Sequence, residues 1–382
     1  MTKRKQISSS QKILLWARAG GRCEFEGCNE ILYRDTLLKN FIYNFADRGH
    51  IIADSPNGPR GDKLLSKQLD VDINNLMLLC KKCHKRIDIN EILYTVEKLQ
   101  KMKKQHEDRI ERVTGISENN RTKLIIYSAN IGSQSNSIIF NNVECAVIAD
   151  DMYPDNSHPI DLSLYGHMLN DKQENFWKTE AANLENQFRE KIKDRVAEKT
   201  EKRHFSVFAI APIPLLIKLG SLLTDKTNVQ VYQKIREPDT WYWQEDTSDL
   251  GFSIVRPFNN SAKVALILSL SSLIPDVDVL KVFGNDVSLW HITIKRPNND
   301  CIRNKCHLSA FREIFRTVLQ EIKTWHGAEA TINIFPAVPV SIAIEIGRVW
   351  MPKADLPLII YDRNREDNLS FIKTIAIGVE ND

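Results

Sequence analysis

The chain has 382 residues, more than a single hydrophobic core usually serves, and its 42% apolar and 26% charged residues are those of an ordinary globular protein. Its apolar runs fall short of the roughly 18–20 residues that span a bilayer. The start MTKRKQISSS has no apolar signal segment, so a cytoplasmic protein without a membrane partner is expected. The net charge of +3 conceals an asymmetry, because residues 1–113 carry 22 Lys and Arg against 15 Asp and Glu whereas the remainder carries 30 against 34. The basic part suits a module that approaches phosphates, although a charge run is more often a solvated face.

Taken in order, SSSQKILLWARAGGRC reads as a serine-capped helix with Ile13, Leu14 and Ala17 in its apolar pattern, stopped by Gly20 and Gly21. RCEFEGC then supplies Cys23 and Cys28. Residues 35–45 mix apolar and polar types without a clean period and receive no assignment. In DRGHIIADSPNGPRGD a short apolar strand carrying His50 runs into a Pro and Gly loop with Arg60 and Asp62 near its end. That loop fits a phosphate-facing turn and a plain solvated loop equally well.

NNLMLLCKKCHKRID follows, with Asn75, Cys80, Cys83 and His84. Cys23, Cys28, Cys80 and Cys83 make the two pairs of soft ligands that tetrahedral zinc takes, so a structural Zn²⁺ site is expected. A zinc ribbon needs only its thiolates and leaves His50, Asn75 and His84 unexplained. Of the seven cysteines, Cys145, Cys301 and Cys306 remain, an odd number that suits a reducing compartment; Cys301 and Cys306 precede His307 without a second pair and read as thiols. NEILYTVEKLQKMKKQHEDRIERV is a helix with Ile92, Val96, Leu99 and Met102 at helical spacing and lysines at 101, 103 and 104. TGISENNRTK breaks it, giving a domain at 1–113, a linker at 114–121 and a second domain at 122–382.

The second domain contains an internal repeat at an offset of 127 residues. FAIAPIPLLIKLG from Phe208 matches FPAVPVSIAIEIG from Phe335, aligning Pro212 with Pro339 and Gly220 with Gly347. Upstream, Leu184, Phe188 and Ile192 align with Phe311, Phe315 and Leu319; downstream both copies enter an apolar strand, VQVYQ and PLIIYD. Each unit, roughly 122–250 and 251–382, is helix, strand, proline-started helix, strand, which predicts a parallel α/β layer with a ligand cleft at the strand ends.

The cysteine pairs with His50 after the first, Asn75 before the second and His84 closing the second resemble the HNH nuclease, a ββα-metal fold. FAIAPIPLLIKLG, VYQKIREPDTWYW and FPAVPVSIAIEIGRVWMPKADLPLIIYD resemble the SAVED domain, a cyclic-oligonucleotide sensor of bacterial CBASS antiphage defence. Together they are similar to the HNH-SAVED effectors over nearly the whole chain. The fold implied is a multidomain α+β and α/β chain, a zinc-stabilised HNH domain followed by two fused Rossmann-like (CARF-like) units. The function implied is a DNA endonuclease acting on double-stranded DNA. It is held inactive until a cyclic dinucleotide or related cyclic oligonucleotide binds, then assembled into an active homo-oligomer, a dimer or tetramer.

By the same resemblance His50 is the general base, His84 a ligand of a catalytic Mg²⁺ or similar divalent cation, and Asn75 the residue that orients the His50 segment. Many such sites carry an acid directly before the first histidine; here that position is Gly49, and Asp47 or Asp88 is left to complete the coordination. A cyclic nucleotide calls for cations and flat aromatic surfaces. Lys234, Arg236, Trp241, Tyr242 and Trp243 are therefore expected at one lip, with packing of Trp241 and Trp243 on a strand face as the competing reading. Phe335, Pro336, Tyr361 and Arg363 are expected at the other. Two rival functions stand beside this one. The first is a non-catalytic zinc-containing nucleic-acid-binding regulator with a nucleotide-sensing domain. The second is a constitutive restriction-type nuclease, which the acidic balance of residues 114–382 disfavours.

Overall fold

The structure is a computed structural model that describes residues 6–35, 42–132, 137–155, 158–164, 171–173, 175–193, 204–363 and 370–379. It divides into two compact units, Met1–Ile116 and Ser117–Asp382.

In the first unit α1 (Ser9–Ala19) starts at a capping box, in which Ser8 Oγ accepts from the Gln11 backbone N–H and Gln11 Oε1 accepts from that of Ser8. It ends where Gly20 turns left-handed at φ 59°. The helix buries Leu15 and Ala19 and exposes Ile13, Leu14 and Ala17, which corrects the apolar stripe expected from sequence. A helix this apolar carries more than one candidate stripe, and the one that packs is an i, i+4 pair flanked by Trp16.

β1 (Tyr33–Asp35) pairs antiparallel with β2 (Ile42–Asn44), which lies in the 35–45 stretch that had no sequence period; residues 36–41 lie outside the described residues. Next come β3 (Ala46–His50), α2 (Leu65–Leu69), β4 (Leu76–Cys80), α3 (Lys81–Ile89) and α4 (Val96–Gly115). β3 and β4 form an antiparallel hairpin in which His50 opposes Leu76 and Ala46 opposes Cys80, and α3 follows β4 without a loop. All five residues of β4 are buried. α4 begins behind a Thr95 cap, later than the Glu91 start expected, so Ile92 stands outside the helix and fully in solvent. Lys103 is also corrected: it is buried and salt-bridged to Glu24 at 3.6 Å and Glu107 at 2.6 Å, leaving Lys101 and Lys104 as the exposed pair. The helix runs on through Gly115, two residues past the expected end.

In the second unit β5 (Arg121–Ser128), α5 (Phe140–Ala149), β6 (Tyr153–Pro154), β7 (Ile160–Asp161), α6 (Phe176–Phe188), β8 (His204–Ile210), α7 (Ile213–Leu223) and β9 (Asn228–Val231) build a first sheet. Its order is β6-β5-β8-β9, with β7 also on β5, and every pairing is parallel. A second sheet follows, from β10 (Ser253–Val255), β11 (Val264–Ser269), α8 (Asp276–Phe283), β12 (Ser288–Thr293), α9 (Lys305–His326), β13 (Ile332–Ala337), α10 (Val340–Val349), β14 (Leu358–Arg363) and β15 (Phe371–Ile377). Its order is β10-β12-β11-β13-β14-β15, a parallel centre with an antiparallel strand at each edge. The unit is thus a mixed α/β fold of two Rossmann-like sheets.

The two copies of the repeat meet. α7 and α10 pack face to face, and a Cβ built on Gly220 would overlap the carbonyl oxygen of Ile344, while one on Gly347 would overlap that of Ile217. Phe208 stacks on Tyr232 (4.3 Å between ring centroids, 15° apart) and its repeat partner Phe335 stacks on Tyr361 (4.6 Å, 15°). Gln233, just past β9, reaches the other copy, its Oε1 accepting from the backbone N–H (3.1 Å) and hydroxyl (2.6 Å) of Ser341 in the first turn of α10.

Gly347→Ala should therefore destabilise the second unit by about 1–3 kcal/mol, the usual cost of forcing a methyl group into a closed interface, and lower its melting temperature by several degrees. Thermal unfolding followed by circular dichroism checks this, and an unchanged melting temperature would rule out the close crossing.

Candidate functional site

The four sulfurs of Cys23, Cys28, Cys80 and Cys83 lie within 4.8 Å of one another, with Cys28 and Cys80 Sγ at 4.0 Å. Tetrahedral thiolates 2.3 Å from zinc stand roughly 3.8 Å apart, so the donor set and its spacing fit that ion. None of the four forms a disulfide. Burial pushes the Cys23 thiol up to about 12, and clustered thiolates of this kind are stable only around a cation. Local structure brings them together: Cys80 Sγ caps α3 by accepting from the Cys83 N–H, and Cys23 Sγ accepts from the Cys80 N–H at 3.3 Å. Cys301 is buried and Cys306 exposed, and neither belongs to a metal-spaced group among the described residues.

His50 is the last residue of β3. Its Nε2 is 3.0 Å from the backbone carbonyl oxygen of Asp70 and 3.6 Å from that residue's carboxylate. A ring that donates from Nε2 keeps its lone pair on Nδ1. Asn75 is buried and bonds both ways to the segment after His50: its Nδ2 donates to the Ile52 carbonyl at 2.9 Å and its Oδ1 accepts from the Ile52 N–H at 2.8 Å. A further bond from Nδ2 reaches the Leu69 carbonyl, one residue before Asp70.

His84, on α3, has a carboxylate beside each ring nitrogen, Asp47 Oδ2 3.4 Å from Nδ1 and Asp88 Oδ2 3.4 Å from Nε2. A Cβ on Gly49 would stand 3.2 Å from His84 Cδ2, so the chain next to His50 runs against the His84 ring. Arg60 does not face outward as a phosphate-facing turn would have it; its guanidinium is turned inward onto backbone carbonyls and Asp88.

The second unit holds a cleft of about 640 Å³ lined from both copies of the repeat, including Ala211–Ile213 at the start of α7 and, in the other copy, the end of β13 with Val338 and Val340 at the start of α10. Arg236, Pro336 and Arg363 line it, and so do Lys172 and Trp177, which sequence did not single out. The other aromatic expectations are corrected. Trp241 is buried with its edge to Phe208 at 5.2 Å, Trp243 packs against the same core, and Phe335 and Tyr361 stack in the core of the second sheet. Lys234 pairs with Asp239 and lies 5.6 Å from the Trp241 ring centre instead of lining the cleft. Tyr242 is exposed and also off the cleft lining. For Trp241 and Trp243 the competing reading, packing against the core, is the one that the structure supports.

Arg236 reaches the rim because the Asp300 carboxylate accepts from the backbone N–H groups of Arg236 and Glu237, both at 3.0 Å. Its guanidinium has no carboxylate partner among the described residues. Arg363 is bound to Asp278 at 2.8 Å. Asp70 and Asp300, like Lys172, are polar groups that sequence reading missed; each of the two aspartates acts through a tertiary contact that no local spacing announces.

Comparison with protein families matches residues 184–377 to the SAVED family, described as the SMODS-associated and fused to various effectors sensor domain. Comparison with curated proteins returns no match. Among solved structures, the chain is similar to the Cap4 SAVED/CARF-domain containing receptor of Acinetobacter baumannii with the cyclic trinucleotide 2'3'3'-cAAA (TM-score 0.43, 12% identity, 83% of this chain and 71% of that one). It is similar also to the Moraxella osloensis Cap4 SAVED/CARF-domain containing receptor (TM-score 0.37, 11% identity, 83% and 70%).

Cys80→Ser should lose zinc and unfold the first unit while leaving residues 117–382 folded, since zinc binding in small modules is worth about 10–16 kcal/mol and a whole domain only about 5–15. Metal analysis together with hydrogen exchange reads both halves of that expectation. A variant with wild-type zinc and undiminished protection in the first unit would undo the thiolate assignment.

Proposed function

Because the chain belongs to the SAVED family, a sensor domain fused to various effectors, we propose that its second unit binds a cyclic oligonucleotide and its first unit is the effector, a metal-dependent HNH-type DNA endonuclease of antiphage defence. The observation that carries the nuclease reading is His84, flanked on both ring nitrogens by carboxylates and set on a helix that follows β4, the strand paired with β3, whose last residue is His50. A zinc ribbon has no use for that arrangement. The sensing reading is supported by the cleft between the repeat copies, where Arg236, Arg363 and Lys172 supply positive charge and Trp177 a flat apolar surface for a base.

In the proposed chemistry Asp47 and His84 would hold a hard divalent cation, which would supply stabilisation of charge on the phosphate and on the leaving oxygen. His50 takes the proton of the attacking water on Nδ1, the nitrogen left with its lone pair by the contact to Asp70. Asn75 fixes the turn that follows, so the imidazole does not swing with the loop. Cys23, Cys28, Cys80 and Cys83 hold zinc and brace the start of α3, which carries His84. A break in both DNA strands needs two such sites and each chain has one, so the ligand is proposed to act by assembling chains into a dimer or tetramer.

Purified protein incubated with Mg²⁺, plasmid and a panel of cyclic di- and trinucleotides should cut DNA only with particular members, and light scattering should show a rise in mass with the same ones. His50→Ala should abolish cutting, to below a few per cent, with zinc content and ligand affinity retained. Ligand binding without cutting at any metal concentration would favour the non-catalytic regulator, and activation at unchanged mass would remove the assembly step.

The cleft carries its own expectation. Asp300→Ala frees the segment that presents Arg236 and should weaken ligand binding by about tenfold, in line with lost hydrogen bonds worth about 1–2 kcal/mol. Calorimetric titration with the activating ligand measures it, and wild-type affinity would show that Arg236 is not a contact.

A further inference from the structure

We infer that Arg60 and Asp88 form a positioning pair that holds His84 for a divalent cation shared with Asp47, an inference that rests on the nuclease reading above. Arg60 is one of four non-glycine residues with positive φ among the described residues, at 55°. A residue with a Cβ stays there only when its surroundings over-determine it. The surroundings here are a set of hydrogen bonds on a side chain that is 5% exposed: Nε donates to the Ile51 carbonyl at 2.7 Å, Nη1 to that of Ile87 at 2.6 Å, and Nη2 to that of His50 at 3.3 Å and to Asp88 Oδ1 at 3.0 Å. A guanidinium has five N–H donors, and an arginine that gripped DNA phosphates would keep a pair of them outward. This one spends them joining the end of β3 to the last turn of α3.

The far side of Asp88 gives that brace a chemical direction. Its Oδ1 takes Arg60 and its Oδ2 faces His84 Nε2, while His84 Nδ1 faces Asp47. A metal-bound histidine generally passes its other ring N–H to a carboxylate, and losing that partner typically weakens the metal about 10–100-fold. Asp88 fits that supporting part because Arg60 already balances its charge. Asp47 has no Lys or Arg partner among the described residues and keeps its charge for the cation. Strand alternation puts positions 47 and 49 on one face of β3. A Cβ at Gly49 would come within 2.6 Å of Leu79 Cδ1. A side chain at position 49 would have to displace that methyl group, whereas Asp47, two residues back on the same face, already offers its carboxylate to His84.

Mn²⁺ binding to the zinc-loaded full chain, read by electron paramagnetic resonance, tests this without reference to DNA cutting, and Asp47→Ala identifies the site by abolishing it. Arg60→Lys keeps the charge but not the fork, and Asp88→Asn keeps every backbone bond of Arg60. Each should raise the Mn²⁺ dissociation constant about tenfold or more at unchanged zinc content, Asp88→Asn also at unchanged melting temperature, and the double variant should be no worse than the weaker single one. Should Arg60→Lys lose zinc, Asp88→Asn decides alone. Additive effects, or tight wild-type binding untouched by either variant, overturn the pair only. A wild-type protein that binds no Mn²⁺ at this site overturns the pair and the nuclease reading together.

Discussion

Where α7 crosses α10, Gly220 and Gly347 let the carbonyl oxygens of each helix rest against the backbone of the other, an approach that any side chain at either point would prevent. The second unit depends on that contact. The two glycines are equivalent positions of the repeat, so the crossing joins like to like and relates the two sheets by an approximate two-fold. With the helices held this close, Ala211–Ile213 at the start of α7 and Val338 and Val340 at the start of α10 converge on one cleft. Gln233 strengthens the arrangement by spending its side chain on the first turn of the other copy's helix, a bond buried from water and so worth more than an exposed one.

The first unit solves a different problem. Its apolar core is small, and the residues proposed for the chemistry sit on paired strands and a helix that receive further support from outside that core. Thiols from both ends of its chain segment are brought to the start of α3, and a brace from the 58–61 loop meets the other end of the same helix at Ile87 and Asp88. α3 is therefore fixed at both ends, and His84 lies between the two fixings. Such rigid support from neighbouring elements is what the metal-ligand part proposed for His84 would need.

Much of this was legible in the sequence because the signals were local or periodic. Paired cysteines, the repeat of Phe208 and Phe335, and the prolines before α7 and α10 each announce themselves within a few residues. The aromatic lip was misread for an equally physical reason. Trp241 and Trp243 follow a strand at alternate positions, and alternation tells that two side chains share a face but not whether that face meets solvent or core. α1 shows the same ambiguity at helical period, where Leu15 and Ala19 pack and Ile13 and Leu14 do not. Asp300 and Arg60 were beyond reach of such patterns. Their parts are set by contacts with residues about 64 and 28 positions away, and nothing in the spacing of charges shows which loop an arginine will fold under.

The cleft is lined from both copies of the repeat, yet its charges are not symmetric, and the difference bears on what can bind there. Arg236 is presented through its backbone by Asp300 and keeps its guanidinium free of carboxylates among the described residues. Arg363 already holds Asp278 at 2.8 Å. A phosphate that meets Arg236 gains a new charge-assisted contact, whereas one that meets Arg363 must share or displace an existing ion pair, an exchange that contributes little net free energy. Lys172 and Asp171 both line the first copy's side and Asp362 lines the second's, so the difference between the sides rests on Arg236. Binding energy should then be concentrated on the side of the first copy, so a ligand with unlike halves can be held in one orientation by a site that arose from duplication of one.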